Sequence, residues 1–258
     1  MRADATKRLQ RIALGALIPA VALIAWQLVS TIYPVIRSVM SSPYEVILGL
    51  GRGIVTGQTF QDVGWSLMRA LGGWALACIT AAPLGILMAR NRIARTVLGA
   101  PLNLLRSISP VAWIPVAILW FGIGYESKVF IVGIVSFFVV LANTFQVAEA
   151  IDPLLLKAAR TFTQSQLRVA VYVILPASIR GIATGAQYAL ASAWGGVIIA
   201  EYTGASSGVG YQMLNASNLF LPAGVMTGMV IVAAVGYLLN VCFTKAMASR
   251  FAKKYVER

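Results

Sequence analysis

Residues 129–148 read VFIVGIVSFFVVLANTFQVA, twenty positions without a charge between Lys128 and Glu149. About 20 predominantly apolar residues are what an α-helix needs to cross the hydrocarbon core of a bilayer. Working outward from charge to charge, further uncharged runs occupy 12–36, 70–89, 107–125, 181–200 and 202–244. The last is too long for one helix. Its first half holds Gly204, Ser206, Ser207, Gly208, Gly210, Asn215, Asn218 and Pro222 and reads as loop, its second half, 223–245, as helix. The pattern predicts an all-α, polytopic membrane protein with six transmembrane helices. The second helix is expected to start near Trp65 and to carry Arg69 near its end by snorkelling. The third segment, with Pro101, Pro110 and Pro115, is expected to be kinked.

Composition agrees. Hydrophobic residues make up 59% of the 258 positions and charged residues only 11%, against roughly 25% in a soluble domain. The chain has no His, which excludes Ser-His and Cys-His catalysis and His-ligated metals. Cys78 and Cys242 stand alone in apolar runs, so neither a disulfide framework nor a CxxC metal site is expected. No Lys follows a Gly, so there is no GxxxxGK[ST] phosphate loop, and any nucleotide energy must come from another chain. Gly204-Ala205-Ser206-Ser207-Gly208 satisfies GxSxG, but without His it reads as turn chemistry rather than a nucleophile elbow.

The net charge of +13 follows topology rather than nucleic-acid binding. With six spans both termini share a side. The segments on that side hold Arg2, Lys7, Arg8 and Arg11; Arg90, Arg92, Arg95 and Arg106; Lys157, Arg160, Arg168 and Arg180; and Lys245, Arg250, Lys253, Lys254 and Arg258, or 17 of the 21 basic residues. The positive-inside rule makes that side the cytoplasm. The expected organisation is one transmembrane domain over 1–258. It has a cytoplasmic N-terminus (1–11), an external segment with a short interfacial helix (37–64), a cytoplasmic loop (149–180) and a cytoplasmic tail (246–258). The N-terminus also has signal-peptide features, with Ala20-Val21-Ala22 as the cleavage site, but its uncharged stretch runs to Ile36, longer than a usual signal core. An uncleaved anchor helix is the favoured reading.

The loop 149–180 looks structured. Asp152 can cap a helix whose first residue is Pro153, and Leu154–Phe162 continues without Gly or Pro. Thr163-Gln164-Ser165 supplies a polar turn, Ser165 can cap a second short helix, and Leu175-Pro176 leads into the fifth span. Physics alone leaves two readings open: an amphipathic hairpin in the headgroups, or a knob that docks a cytoplasmic partner.

The passage Leu156-Lys157-Ala158-Ala159-Arg160-Thr161-Phe162-Thr163-Gln164-Ser165, with Val173-Ile174-Leu175-Pro176 and Gly181, resembles the EAA loop of binding-protein-dependent ABC transporter permeases. The chain is similar, more narrowly, to permeases for nitrate, sulfonate, taurine and bicarbonate. That likeness rests on Ser42-Pro43, Ser66-Leu67-Met68-Arg69, Leu105-Arg106 with Pro110-Val111-Ala112-Trp113-Ile114-Pro115, Trp120-Phe121-Gly122-Ile123-Gly124, and Ala200-Glu201 with Gly208-Val209-Gly210.

The resemblance implies a type I ABC importer permease fold in a cell inner membrane. It implies a homodimer of permeases, two cytoplasmic ATPase subunits that hold ATP and Mg, and an extracytoplasmic binding protein. The solute would be small, such as nitrate, taurine or an alkanesulfonate. This chain would be no enzyme and would hold no cofactor or metal. The loop would couple to the ATPase through Asp152, Lys157, Ala158, Ala159, Arg160, Thr163, Leu175 and Pro176. Lys157 stands where the family has Glu, Thr163 where it has a hinge Gly, and Ser107 and Ser109 where it has prolines.

Gly181, Gly185, Ala189 and Ala193, and again Gly224 and Gly228, have the four-residue spacing that lets helices approach closely, within one chain or across a dimer seam. Apart from Arg69, the predicted apolar cores contain no charge. This argues against the rival reading, an ion-coupled secondary transporter or channel. The missing His and metal ligands likewise disfavour an intramembrane hydrolase. Candidate pathway residues are Arg106, Trp113, Asn143, Gln187, Trp194 and Glu201, with Thr144, Gln146 and Ser192 as further polar positions. Helix–helix hydrogen bonding or interfacial anchoring competes with that role at each.

Overall fold

Without water to satisfy them, backbone groups in a bilayer must pair within their own segment, which leaves the helix as the natural element for this composition. The computed structural model describes residues 2–163 and 165–256, and among them there is no strand. The chain forms two compact units, 1–61 with 212–231, and 62–211 with 232–258.

In the first unit, α1 (Arg2–Ile32) is followed by the short α2 (Pro34–Val39) and by α3 (Pro43–Val55). The α1 helix carries an apolar stretch over Leu17–Ile32, shorter than a full crossing. The α3 helix lies in the expected external segment and starts on a capping box. Glu45 N–H donates to Ser42 Oγ (3.3 Å) while Ser42 N–H donates to Glu45 Oε2 (3.1 Å). Arg37 adds an ion pair to Glu45 at 2.6 Å. The Arg37 hydrogen bond, then the Ser42 backbone, hold the Glu45 carboxyl below its ordinary value. A depressed carboxyl contributes stability above its unfolded pKa and loses it as pH falls through the folded one, so the box weakens only in acid. Tyr44 N–H donates to Gln27 Oε1 (3.3 Å) and Thr227 Oγ1 to the Val46 carbonyl (3.4 Å), tying α3 to its neighbours. In α11 (Val209–Asn218) and the start of α12 (Pro222–Val256), Gly228 faces Met213 and Gly224 faces Ala216. That small-residue pair therefore packs within the chain.

The second unit holds α4 (Gln58–Arg90), α5 (Arg92–Arg106), α6 (Ile114–Phe121), α7 (Tyr125–Glu149), α8 (Pro153–Phe162), α9 (Gln166–Val169) and α10 (Leu175–Glu201), with the remainder of α12. Its centre is the antiparallel pair α7 and α10. Gly181, Gly185 and Gly196 face Val147, Asn143 and Val135 in descending order along α7, and Ala189, Ala193 and Ala200 are fully buried. The four-residue stripe thus seats one helix of this chain against another. Trp74 Nε1–H donates to the Ala186 carbonyl and Trp194 Nε1–H to the Val232 carbonyl, both at 2.8 Å, joining α4 and α12 to α10.

Among the described residues four helices are long and apolar enough to cross a membrane: Gln58–Arg90, Tyr125–Glu149, Ala170–Glu201 and Pro222–Ala248. The expected third span is not a single helix over 107–125. It is α5 and the stretch Pro110–Phe121 bent by 95°, a fifth crossing if the pair counts as one. The cause is local. Pro110 has no N–H to continue α5, and Ser109 before it is pushed to extended backbone (ψ 137°). The charge-free run misplaced this span because its first half begins at Arg92 and carries Arg95 and Arg106 inside the helix. The second helix also begins at Gln58, earlier than expected, which carries Arg69 into the fourth turn of α4. A tight turn over 122–124 joins α6 to α7, with Gly122 at φ +75°.

Gly73 and Gly64 sit in the same helix and make a controlled pair. A Cβ at Gly73 would lie 2.7 Å from the Val129 carbonyl oxygen of α7, whereas nothing lies within 4 Å of one at Gly64. Gly64→Ala should stabilise the purified protein by up to about 1 kcal/mol through helix propensity. Gly73→Ala should instead destabilise it by about 1–3 kcal/mol through overpacking. Unfolding midpoints in mixed micelles check both.

Candidate functional site

On α4 the spacing of Asp62, Ser66 and Arg69 places three polar side chains on one helical face, and all three are buried. Ser66 and Arg69 meet Glu201 at the end of α10, which has no solvent exposure. Arg69 Nη1 donates to Glu201 Oε1 (2.6 Å) and to the Ser207 carbonyl (2.7 Å), and Nη2 donates to Ser207 Oγ (2.9 Å). Ser66 Oγ–H is shared between the two Glu201 oxygens at 2.9 and 3.0 Å.

The first N–H groups of a helix have no partner inside it. Those at the start of α11 find theirs in this cluster: Gly208 N–H donates to Asp62 Oδ1 (3.0 Å), Val209 N–H to Ser66 Oγ (3.0 Å) and Gly210 N–H to Glu201 Oε2 (2.9 Å). Two carboxylates at a helix N-terminus also suit its dipole. The loop needs glycine here. Gly208 has φ +112°, and a Cβ on it would collide with the Glu201 carboxylate. Lys128 closes the loop from α7 by donating to the Gly204 carbonyl at 3.0 Å.

This arrangement corrects the snorkelling expected of Arg69, which is only 6% exposed and ion-paired. It also answers the GxSxG pattern: Ser206 is exposed on a loop between two positive-φ glycines. The sequence reading quoted Ser66–Arg69, Ala200–Glu201 and Gly208–Gly210 separately but did not join them, and it missed Asp62, Lys128 and Ser207. The available signal was Asp62, Ser66 and Arg69 on one face, opposite a single Glu between two long uncharged runs.

The other pathway candidates are dispersed. Trp194 is buried and engaged with Val232; Asn143 Nδ2–H donates to the Val139 carbonyl (2.8 Å) on its own helix. Gln187 Nε2–H donates to Asn240 Oδ1 (2.7 Å) and Thr244 Oγ1 (3.0 Å). Trp113 stacks edge-on with Phe130, and its Nε1–H has no partner. Arg106 ends α5 and lines a cavity of about 480 Å³ between α5 and α7.

The described residues of the loop 149–180 form the helices that their sequence suggests. Asp152 Oδ1 accepts from Leu154 N–H (2.7 Å) at the start of α8. Thr163 ends the helix in extended backbone (φ −157°, ψ 137°), so no left-handed hinge is required there. Thr163 Oγ1 then accepts from Ser165 N–H (3.2 Å) and Ser165 Oγ from Arg168 N–H (3.4 Å). A π-helical turn, Ala170–Ile174, joins α9 to α10, and Leu175 and Pro176 are exposed at the junction. Leu156 and Ala159 pack inward with Ala148, Val169 and Ile174. Leu154, Leu155, Lys157, Ala158, Arg160 and Phe162 are exposed, Phe162 at 90%. The helix therefore presents an apolar face outward.

Removing one partner of a buried ion pair leaves the other uncompensated. Arg69→Leu should cost about 3–5 kcal/mol of stability. The double variant Arg69→Leu with Glu201→Leu should cost less than the sum of the single changes. A double-mutant cycle on unfolding in micelles measures this, and strict additivity would disprove the coupling.

Residues 81–255 match the family described as "Binding-protein-dependent transport system inner membrane component". The chain is 33% identical over 226 residues to SsuC of Bacillus subtilis, named as an aliphatic sulfonates transport permease protein, with 88% of this chain and 82% of that one covered. It is 26% identical over 226 residues to the taurine transport system permease protein TauC of Escherichia coli, covering 86% and 82%. In fold it superposes on a chain of the MetNI methionine ABC transporter, seen in inward-facing conformations, with a TM-score of 0.68 at 18% identity, covering 76% of this chain and 97% of that one. The chain belongs to the binding-protein-dependent transport system inner membrane component family, as a multi-pass permease subunit of an ABC importer.

Proposed function

We propose that this chain, as one transmembrane domain and in two copies, forms the path by which a small sulfonate or oxyanion enters a cell. A binding protein would deliver the solute from outside, and two cytoplasmic ATPase subunits holding ATP and Mg would supply the energy, with no cofactor on this chain. Leaving Arg106 aside, the distribution of 16 of the 21 basic residues supports cytoplasmic termini in an inner membrane. The substrate class rests on the relatives, one named for aliphatic sulfonates and one for taurine.

The observation that carries the coupling reading is the two-sided packing of α8. Leu156 and Ala159 anchor it to the bundle, while Leu154, Leu155, Ala158 and Phe162 leave an apolar face uncovered. Such a face set on a rigid base suits an ATPase groove, where closing of the ATPase pair would push on α10 through Leu175 and Pro176. Asp152 and Thr163 fix the ends of the lever, and Arg160 and Lys157 lie beside the contact. Because Lys157 is an ammonium, the groove should meet it with a carboxylate or with helix C-terminal carbonyls.

The test is uptake by the complete complex in proteoliposomes. Uptake of labelled taurine or alkanesulfonate should require both the binding protein and internal ATP. Ala158→Trp, which fills the docking space from an exposed position, should lower uptake at least tenfold while the protein still inserts and folds. Uptake without ATP, or full uptake by Ala158→Trp, would contradict the reading.

A further inference from the structure

The α5 helix runs antiparallel to α7 from the Arg95–Glu149 ion pair (2.5 Å), where the Arg95 guanidinium also lies 5.1 Å from the Phe145 ring centre. From that pair Arg95, Gly99, Leu102, Asn103 and Arg106 line one wall of the cavity, and Phe138, Leu141, Ala142, Phe145, Gln146 and Glu149 the other. Each wall runs eleven residue steps, from 95 to 106 and from 138 to 149, about 16 Å at 1.5 Å per residue. The pair marks the end of the spanning helix α7, so Arg106 stands level with Phe138, close to the middle of that helix. A guanidinium placed midway along a membrane-spanning helix is costly and persists where it faces a polar cavity, and Arg106 is exposed into this one.

Arg95 is already paired, but Arg106 is not. Among the described residues the side chains of Arg106, Asn103 and Gln146 have no hydrogen-bond partner, although all three line the same cavity. They offer a guanidinium fork and two amides, the donor set that matches an anionic group with several oxygens. Beside them Leu102, Phe138 and Leu141 supply an apolar wall. The break between α5 and α6 falls just past Arg106, and interrupted helices at mid-bilayer are where transporters hold their solutes. The volume of about 480 Å³ is in the range of small-molecule sites, roughly 300–1,000 Å³.

We propose that the cavity between α5 and α7 is a binding site within the permease for a small organic anion with an apolar body, its charged group held by Arg106, Asn103 and Gln146. Selectivity would then be set in part inside the membrane, after delivery. The inference rests on reading the chain as a permease for small anions but concerns a separate step, so uptake by the unaltered complex can succeed while this site fails.

The experiment measures equilibrium binding of ³⁵S-labelled hexanesulfonate to the complete complex in nanodiscs of phosphatidylcholine, without ATP or binding protein. Saturable binding is expected. Arg106→Gln should weaken it at least tenfold, Arg106→Lys should weaken it less, and methanesulfonate should compete more poorly than hexanesulfonate. Ala142→Phe, which fills the cavity from α7, should also abolish binding, and co-purification with the ATPase controls for folding in every variant. Equal affinity in Arg106→Gln and the unaltered complex would overturn the proposal. So would displacement of the probe by phosphatidylglycerol in the nanodisc, which would make the cavity a lipid-headgroup site, or no saturable binding at all.

Discussion

A carboxylate with no exposure to water has to be matched by donors, and Glu201 is matched from two sides. Ser66 and Arg69 reach it from α4, Gly210 N–H from the start of α11, and its own helix places it at the end of α10. Losing any one of these leaves charge or hydrogen-bonding capacity stranded in a poorly hydrated interior. The loop from Thr203 to Gly208 therefore has little freedom. Arg69 holds it at Ser207, Asp62 at Gly208 and Lys128 at Gly204. The cluster carries two acids and two bases, so its charge balances locally.

The rest of the bundle is held by shape. Glycines and alanines on α10 let α7 approach closely, and the tryptophans at 74 and 194 bury their rings while donating to backbone carbonyls across helices. Most of the described charges fall in three settings. They sit at helix ends and exposed loops, in the cluster around Glu201, or along the cavity that Arg106 shares with Arg95 and Glu149. The first setting follows topology and the second fixes structure. In the third a charge is left without a partner.

Much of the fold was legible in the sequence because lipid imposes so few solutions. Uncharged runs found α7, α10 and α12, and Asp152-Pro153 marked the start of α8. The reading went astray where a charge lies inside a helix. Arg92 and Arg95 hid the first half of the bent pair, and Arg69 seemed to mark a boundary because spacing to the nearest charge says nothing of a partner 132 positions away. The site was legible only in pieces: Glu201, Arg69 and Gly208–Gly210 were each visible, but bringing them together requires the α4–α10 packing. The pathway candidates fared differently because a polar residue in an apolar run signals only that it needs a partner. For Asn143 and Gln187 the structure supplies one within the chain; for Arg106 it supplies none among the described residues.

The Glu201 cluster pins the loop from Thr203 to Gly208 to α4. Hydrogen–deuterium exchange of a peptide spanning 202–211, in the complete complex in nanodiscs, tests it most directly. The amides of Gly208, Val209 and Gly210 should exchange as slowly as those of the surrounding helices in the unaltered protein, and should exchange at least tenfold faster in Arg69→Leu. Rapid exchange of that peptide in the unaltered protein, or no change in the variant, would contradict the account.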